Sequence, residues 1–203
     1  MKFTAPAQGR KGAYYQRNRE ALINATQRIL AEKGSETKIE DIAKEADMAV
    51  STIYKHFPNR EELIETAIVE AMLQWERDTL EVSVLGANQL DQLVLPMRAF
   101  LQVKKTHPLF AQLVANNRDL VSRMAPKTAN NLEKHVMVLV KSGTLEIQNP
   151  DLRIRNLVSC LFAALEDQLT NPKAKETENL RALAIALGML GIEENEARRL
   201  LGC

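Results

Sequence analysis

Most glycines and prolines of this chain fall between stretches of 3.6-residue apolar periodicity, and no stretch alternates polar and apolar as a half-buried strand would. Gly34, Pro58, Gly86, Pro108, Pro126, Gly143, Pro150, Pro172 and Gly191 are the main punctuation marks. Reading from mark to mark predicts an all-α fold with helices at 17–33, 38–45, 49–56, 60–83, 88–105, 108–122, 126–142, 151–169, 176–190 and 193–201. Pro96 falls inside the fifth and is expected to kink it, because proline has no N–H to give to the helix ladder. No internal repeat, low-complexity tract or Gly/Ser-rich linker interrupts this order. The fourth helix is therefore expected to join an N-terminal unit, residues 1–59, rigidly to a larger C-terminal unit, residues 60–203.

At 203 residues, 45% hydrophobic and 26% charged, the chain can build one full core or two unequal ones. No apolar run approaches the ~20 residues that span a bilayer. The opening segment MKFTAPAQGRKGAYYQRNRE has no apolar h-region. A cytoplasmic location without a membrane partner is the expectation. Cys160 and Cys203 have no metal-binding or disulfide spacing, so neither a metal nor a cofactor is implied. An all-α enzyme has little to stand on. No HExxH, GxSxG or Gly-rich phosphate loop occurs, and the three histidines have Ile53, Lys104 and Leu132 where a di-iron bundle has an acid three residues upstream.

The net charge of +1 conceals an asymmetry. Residues 1–60 hold eleven Lys/Arg against seven Asp/Glu, while the rest hold sixteen against nineteen. The first part is thus +4 and the second −3, which suits different partners. Lys2, Arg10 and Lys11 occur in an opening stretch without acids, as befits either an arm attracted to phosphate or a solvated tail.

Within the basic part, Leu22, Ala25, Ile29 and Leu30 give the first helix an apolar face. Thr37 followed by Glu40 reads as a capping box opening the second helix, in which Ile39, Ile42, Ala43 and Ala46 point inward. After a turn at Asp47-Met48, Ile53 and Phe57 stand at i and i+4 to anchor a third helix. Its other faces carry Val50, Ser51, Thr52, Tyr54, Lys55 and His56. Small hydroxyls followed by a phenol, an ammonium and an imidazole suit insertion into a DNA major groove, although a merely polar surface helix has the same composition.

Residues 37–63, TKIEDIAKEADMAVSTIYKHFPNREEL, resemble the helix-turn-helix signature of TetR-type transcriptional regulators. The resemblance rests on Thr37, Ile42-Ala43, Thr52-Ile53-Tyr54 and the ending Phe57-Pro58-Asn59-Arg60-Glu61-Glu62-Leu63. It implies an N-terminal three-helix DNA-binding domain and a larger helical domain for ligand binding and dimerisation. Thr37 and Lys38 would then approach phosphates. Val50, Ser51, Lys55 and His56 would face base edges, Thr52 and Tyr54 would hold the backbone, and Arg60 would replace a common phosphate-binding lysine. Two departures are Asp47 where the turn usually has Gly and Ala49 where the third helix often has a Ser cap.

For the C-terminal unit the resemblance implies a four-helix dimer interface made by the eighth and ninth helices and their copies. Leu157, Leu161, Leu165, Leu180, Leu183 and Leu187 are candidates for it, with burial in one chain's own core an equal reading. Trp75, Met97, Phe100, Phe110, Met124, Met137 and Phe162 are candidates to line a ligand pocket, with His107 and His135 as polar handles. At helical spacing such residues more often form core. The partners implied are double-stranded DNA with a palindromic operator, a second copy of the chain and a small-molecule effector. A dimeric repressor relieved by that effector is the expected function, and an architectural DNA binder without a ligand is the alternative.

Overall fold

The computed structural model describes residues 9–83, 86–128, 130–171 and 173–203, and every regular element among them is helical. The first helix, α1 (Arg10–Lys33), begins seven residues before the expected start and ends where Gly34 turns to φ 56°. A 3-10 turn at Gly34–Glu36 leads into α2 (Ile39–Glu45), α3 (Val50–His56) and the long α4 (Arg60–Ser83). Leu22, Ile42, Ala43, Ile53, Phe57 and Leu63 close a small core among these four helices. Fully burying Ile53 and Phe57 contributes about 1.5–3 kcal/mol for each side chain.

The remaining helices are α5 (Gln89–Leu101), α6 (Val103–Thr106), α7 (Pro108–Asn116), α8 (Arg118–Thr128), α9 (Asn130–Lys141), α10 (Pro150–Thr170), α11 (Glu176–Leu187) and α12 (Glu194–Leu201). They build a second, larger core that includes Ile64, Ala67 and Ile68 of α4. Adjacent residues Leu63 and Ile64 therefore serve different cores. Pro96 lies within α5, and the interruption expected of it falls instead at Gln102 (φ −102°, ψ 0°), where α5 gives way to α6. Pro126 likewise lies inside α8 and does not open a helix.

The segment read as one helix over 108–122 divides at Asn117 for a tertiary reason. The Asn117 side chain is buried, and its amide donates to the carbonyls of Leu30 (2.9 Å) and Leu113 (2.8 Å). Asn116 donates to Ala31 at 2.6 Å. These two amides add side-chain donors to carbonyls in the last turn of α1, where the Leu30 carbonyl also accepts the Gly34 N–H. A Cβ on Gly34 would lie 2.6 Å from the Asn116 carbonyl oxygen, so glycine is required there by contact as well as by its positive φ.

Candidate nucleic-acid interface

Asp47 makes the turn between α2 and α3 with φ 51°, a conformation its short polar side chain tolerates, and Met48 donates its N–H to Ala43 at 2.9 Å. Ile53 and Phe57 then pin α3 down, each 1% exposed. The opposite side of α3 presents Ser51, Tyr54 and Lys55 to solvent, with Tyr54 48% exposed. Thr52 is half-buried, and half-buried Val50 packs against the small core. Lys38 and Lys44 of the neighbouring segment are exposed. The arrangement is a short helix seated on two anchors, displaying a hydroxyl, a phenol and an ammonium, with further cations beside it.

Two ion pairs hold α2 on α1: Arg28 to Glu45 at 2.5 Å and Lys33 to Asp41 at 2.7 Å. The Lys33 hydrogen bond holds the Asp41 carboxyl below its ordinary range. Asp41 also accepts the Lys38 N–H at 3.2 Å, so it caps the start of α2. That corrects the expected Thr37/Glu40 capping box. Thr37 is 1% exposed and its hydroxyl donates to the Gly34 carbonyl at 2.7 Å, because the 3-10 turn draws it inward. Its side chain does not reach the surface that phosphate would occupy.

Arg60 is tied to the same segment. Its Nε and Nη2 both donate to the Thr37 carbonyl, at 2.9 and 2.5 Å, and its Nη1 faces Glu61 at 3.4 Å. The guanidinium is thus a clamp between the start of α4 and the approach to α2, with two of its donors engaged by one carbonyl. Asn59 does cap α4 as its spacing implies, accepting the Glu62 N–H at 2.7 Å.

His56 turns away from the displayed face. Its ring lies 4.3 Å from that of Tyr15 on α1, and burial, with the nearby charges of Arg19 and Lys55 adding to it, lowers its pKa below the ordinary 6.5. The neutral imidazole is a strut between α1 and α3. Arg19 sits beside it, its guanidinium carbon 4.3 Å from the centre of the Phe57 ring. Sequence reasoning missed both Tyr15 and Arg19, since nothing in local spacing tells which residue of α1 meets the end of α3.

In the larger core, four of the expected lining residues come together. Trp75 stacks on Phe110 (5.7 Å) and meets Phe100 edge-on (5.4 Å), and Phe100 meets Phe162 (5.8 Å). Met97, Phe100 and Met124 are buried core side chains, whereas His135 and Met137 are half-buried on α9. Trp75, His107 and Phe110 border a cleft of about 730 Å³ between α1, α4 and α7. Trp75 and His107 also border one of about 310 Å³ between α4, α5 and α6. The two clefts meet at an ion-pair geometry in which His107 Nε2 lies 3.3 Å from Asp78.

The six leucines proposed for a dimer face belong to the core of a single chain: Leu157, Leu161, Leu165, Leu180, Leu183 and Leu187 are between 0 and 9% exposed. The close packing of α10 and α11 against α5, α7 and α12 buries that stripe. The outward stripe is different. Leu152 (50% exposed) and Ile185 (67%) stand on it with exposed Ser159, Cys160, Ala163 and Ala182. Among the described residues there is no cluster of metal-ligating side chains.

Residues 22–67 match the family described as bacterial regulatory proteins, tetR family. The chain is 24% identical over 136 residues to the HTH-type transcriptional repressor KstR of Mycobacterium tuberculosis, a match that covers 66% of this chain and 62% of KstR. Its fold is that of RolR, solved in complex with resorcinol: TM-score 0.72 at 18% identity, covering 93% of this chain and 95% of RolR. FadR of Bacillus subtilis, solved in complex with stearoyl-CoA, superposes with a TM-score of 0.66 at 18% identity, covering 85% of this chain and 96% of FadR.

Proposed function

Because the chain belongs to the TetR family of bacterial regulatory proteins, we propose that it is a dimeric repressor that binds a palindromic DNA operator and releases it when a small molecule binds. The observation that carries this reading is α3: a helix anchored by Ile53 and Phe57 that offers Ser51, Tyr54 and Lys55 outward. Lys55 and Ser51 face base edges, Tyr54 and Thr52 hold the DNA backbone, and Lys38 binds phosphate. Residues 1–59 form the reading head and residues 60–203 the regulatory and dimerisation domain. The outward stripe of α10 and α11, with Leu152, Ile185 and small residues between them, meets its copy across a two-fold axis. A dimer places two α3 helices about 34–36 Å apart, which demands a palindrome. Ligand-bound RolR and FadR support an effector, as do the clefts beside Trp75. No helix among the described residues is long and apolar enough to cross a membrane.

The test is selection of random duplex fragments by the purified protein at about 150 mM salt, where non-specific binding is already weak. Enrichment of one palindrome is the expected result. Recovery of duplexes without a shared motif would instead establish an architectural DNA binder.

A further inference from the structure

We propose that the 730 Å³ cleft between α1, α4 and α7 is a binding site for a small ring-bearing carboxylate, bordered by Trp75 and Phe110 of the aromatic cluster and straddling the reading head and the larger domain. The inference rests on the regulatory reading only for its consequence, since binding itself can be measured on the free protein. The volume lies within the range of about 300–1,000 Å³ usual for small-molecule sites. Ile23, Trp75, Leu109 and Phe110 give the cleft an apolar lining that suits a flat ring, and Leu109 is 43% exposed.

The choice of a carboxylate comes from Arg19, which lines the end of the cleft nearest α3. Its Nη1 is buried with no hydrogen-bond partner, while its guanidinium carbon rests over the Phe57 ring. A buried donor without an acceptor is costly, and an anionic oxygen is its strongest partner. Two other polar groups of the walls are engaged: Gln27 donates to the Ala67 carbonyl, and Arg77 donates to Gln74. Glu20 and Glu70 also border the cleft, but both are exposed, so water screens them from an incoming anion. A carboxylate that draws Arg19 toward it removes the cation from Phe57, one of the two anchors of α3. The ligand would thereby act on the reading helix directly through α1.

Trp75 is the sole tryptophan of the chain and borders both clefts, so its emission reports an occupant beside it, and substitutions at Arg19 and Leu109, which line only the larger cleft, assign that occupant to it. Phenylacetate titrated into the purified protein should change that emission saturably, and phenylacetamide should bind about tenfold more weakly, since it lacks the charge. Arg19→Gln should remove the preference for the acid. Leu109→Glu, at an exposed position that tolerates substitution, should weaken phenylacetate by about tenfold or more by charge repulsion and loss of apolar contact. The absence of any saturable change, or binding untouched by both substitutions, would overturn the site. Failure of the protein to enrich any duplex would instead overturn the regulatory reading and leave a measured affinity for phenylacetate standing.

Discussion

Lys55 on α3 and Lys38 beside it are both exposed cations, and the proposed function gives them different work. Lys55→Ala is expected to lower affinity by about 1–3 kcal/mol for the selected site and little for unrelated duplexes. Lys38→Ala should weaken all duplexes alike and reduce the salt slope by about one. Titrations of both variants against cognate and scrambled duplexes at several salt concentrations check this, and identical profiles would remove the division. Arg60 belongs to stability. Breaking its bonds to the Thr37 carbonyl should cost about 1–3 kcal/mol in Arg60→Ala, read as a lower denaturation midpoint. His56 adds a pH dependence whose sign follows from its lowered pKa. The unfolded chain binds a proton there more readily than the folded one, so stability should fall as pH drops through the ordinary imidazole value of 6.5. His56→Asn should flatten that part of the unfolding profile measured between neutral and mildly acid pH. The exposed row of Ser51, Tyr54 and Lys55 was legible in the sequence because Ile53 and Phe57 fix which side of a short helix faces inward. Thr37, Arg60 and His56 were not, because each is turned by a partner distant in sequence or by a local 3-10 turn that side-chain chemistry alone does not announce.

At the scale of elements, α3 begins at Ala49 with no capping side chain. Ala49→Ser should supply an oxygen for an N–H of the first turn and raise stability by about 1 kcal/mol, measurable by denaturant unfolding. No gain would mean that the backbone at residue 49 holds a serine hydroxyl away from those groups. Element order was legible from Gly34 to Leu201 because apolar periodicity persists through it. The breaks were less so. Pro96 seemed the natural interruption of the fifth helix, yet one missing N–H is tolerated inside α5, and the chain breaks at Gln102. Ties beyond that break hold α6 in place: Lys104 donates to the Gln168 carbonyl, and Lys105 and Gln102 both reach Glu176. Helix α1 begins earlier than expected, and Tyr15 in the added turns meets His56 of α3, a tertiary partner that polar composition does not announce.

The whole molecule divides its apolar surface between inward and outward stripes on α10 and α11. Sequence periodicity located both helices, but the leucine stripe it offered for a dimer is buried in the core of the single chain, since leucine marks burial without saying whether the partner is the same chain. Ile185→Asp tests the outward stripe. The charge should shift the protein from dimer to monomer in sedimentation and weaken operator binding, because one head then holds only a half-site. A variant that still sediments as a dimer would place the interface elsewhere. The bond from Asn116 and Asn117 to the end of α1 has a consequence for engineering. A head transplanted onto a foreign body would leave the carbonyls of Leu30 and Ala31 without these donors, and a foreign backbone in place of that at Asn116 need not fit the space that Gly34 leaves. Chimaeric regulators made from this chain should therefore work only when the junction of α7 and α8 at Asn116 and Asn117 travels with the head, which makes that junction, and not the chain's linear midpoint, the seam along which operator preference can be exchanged.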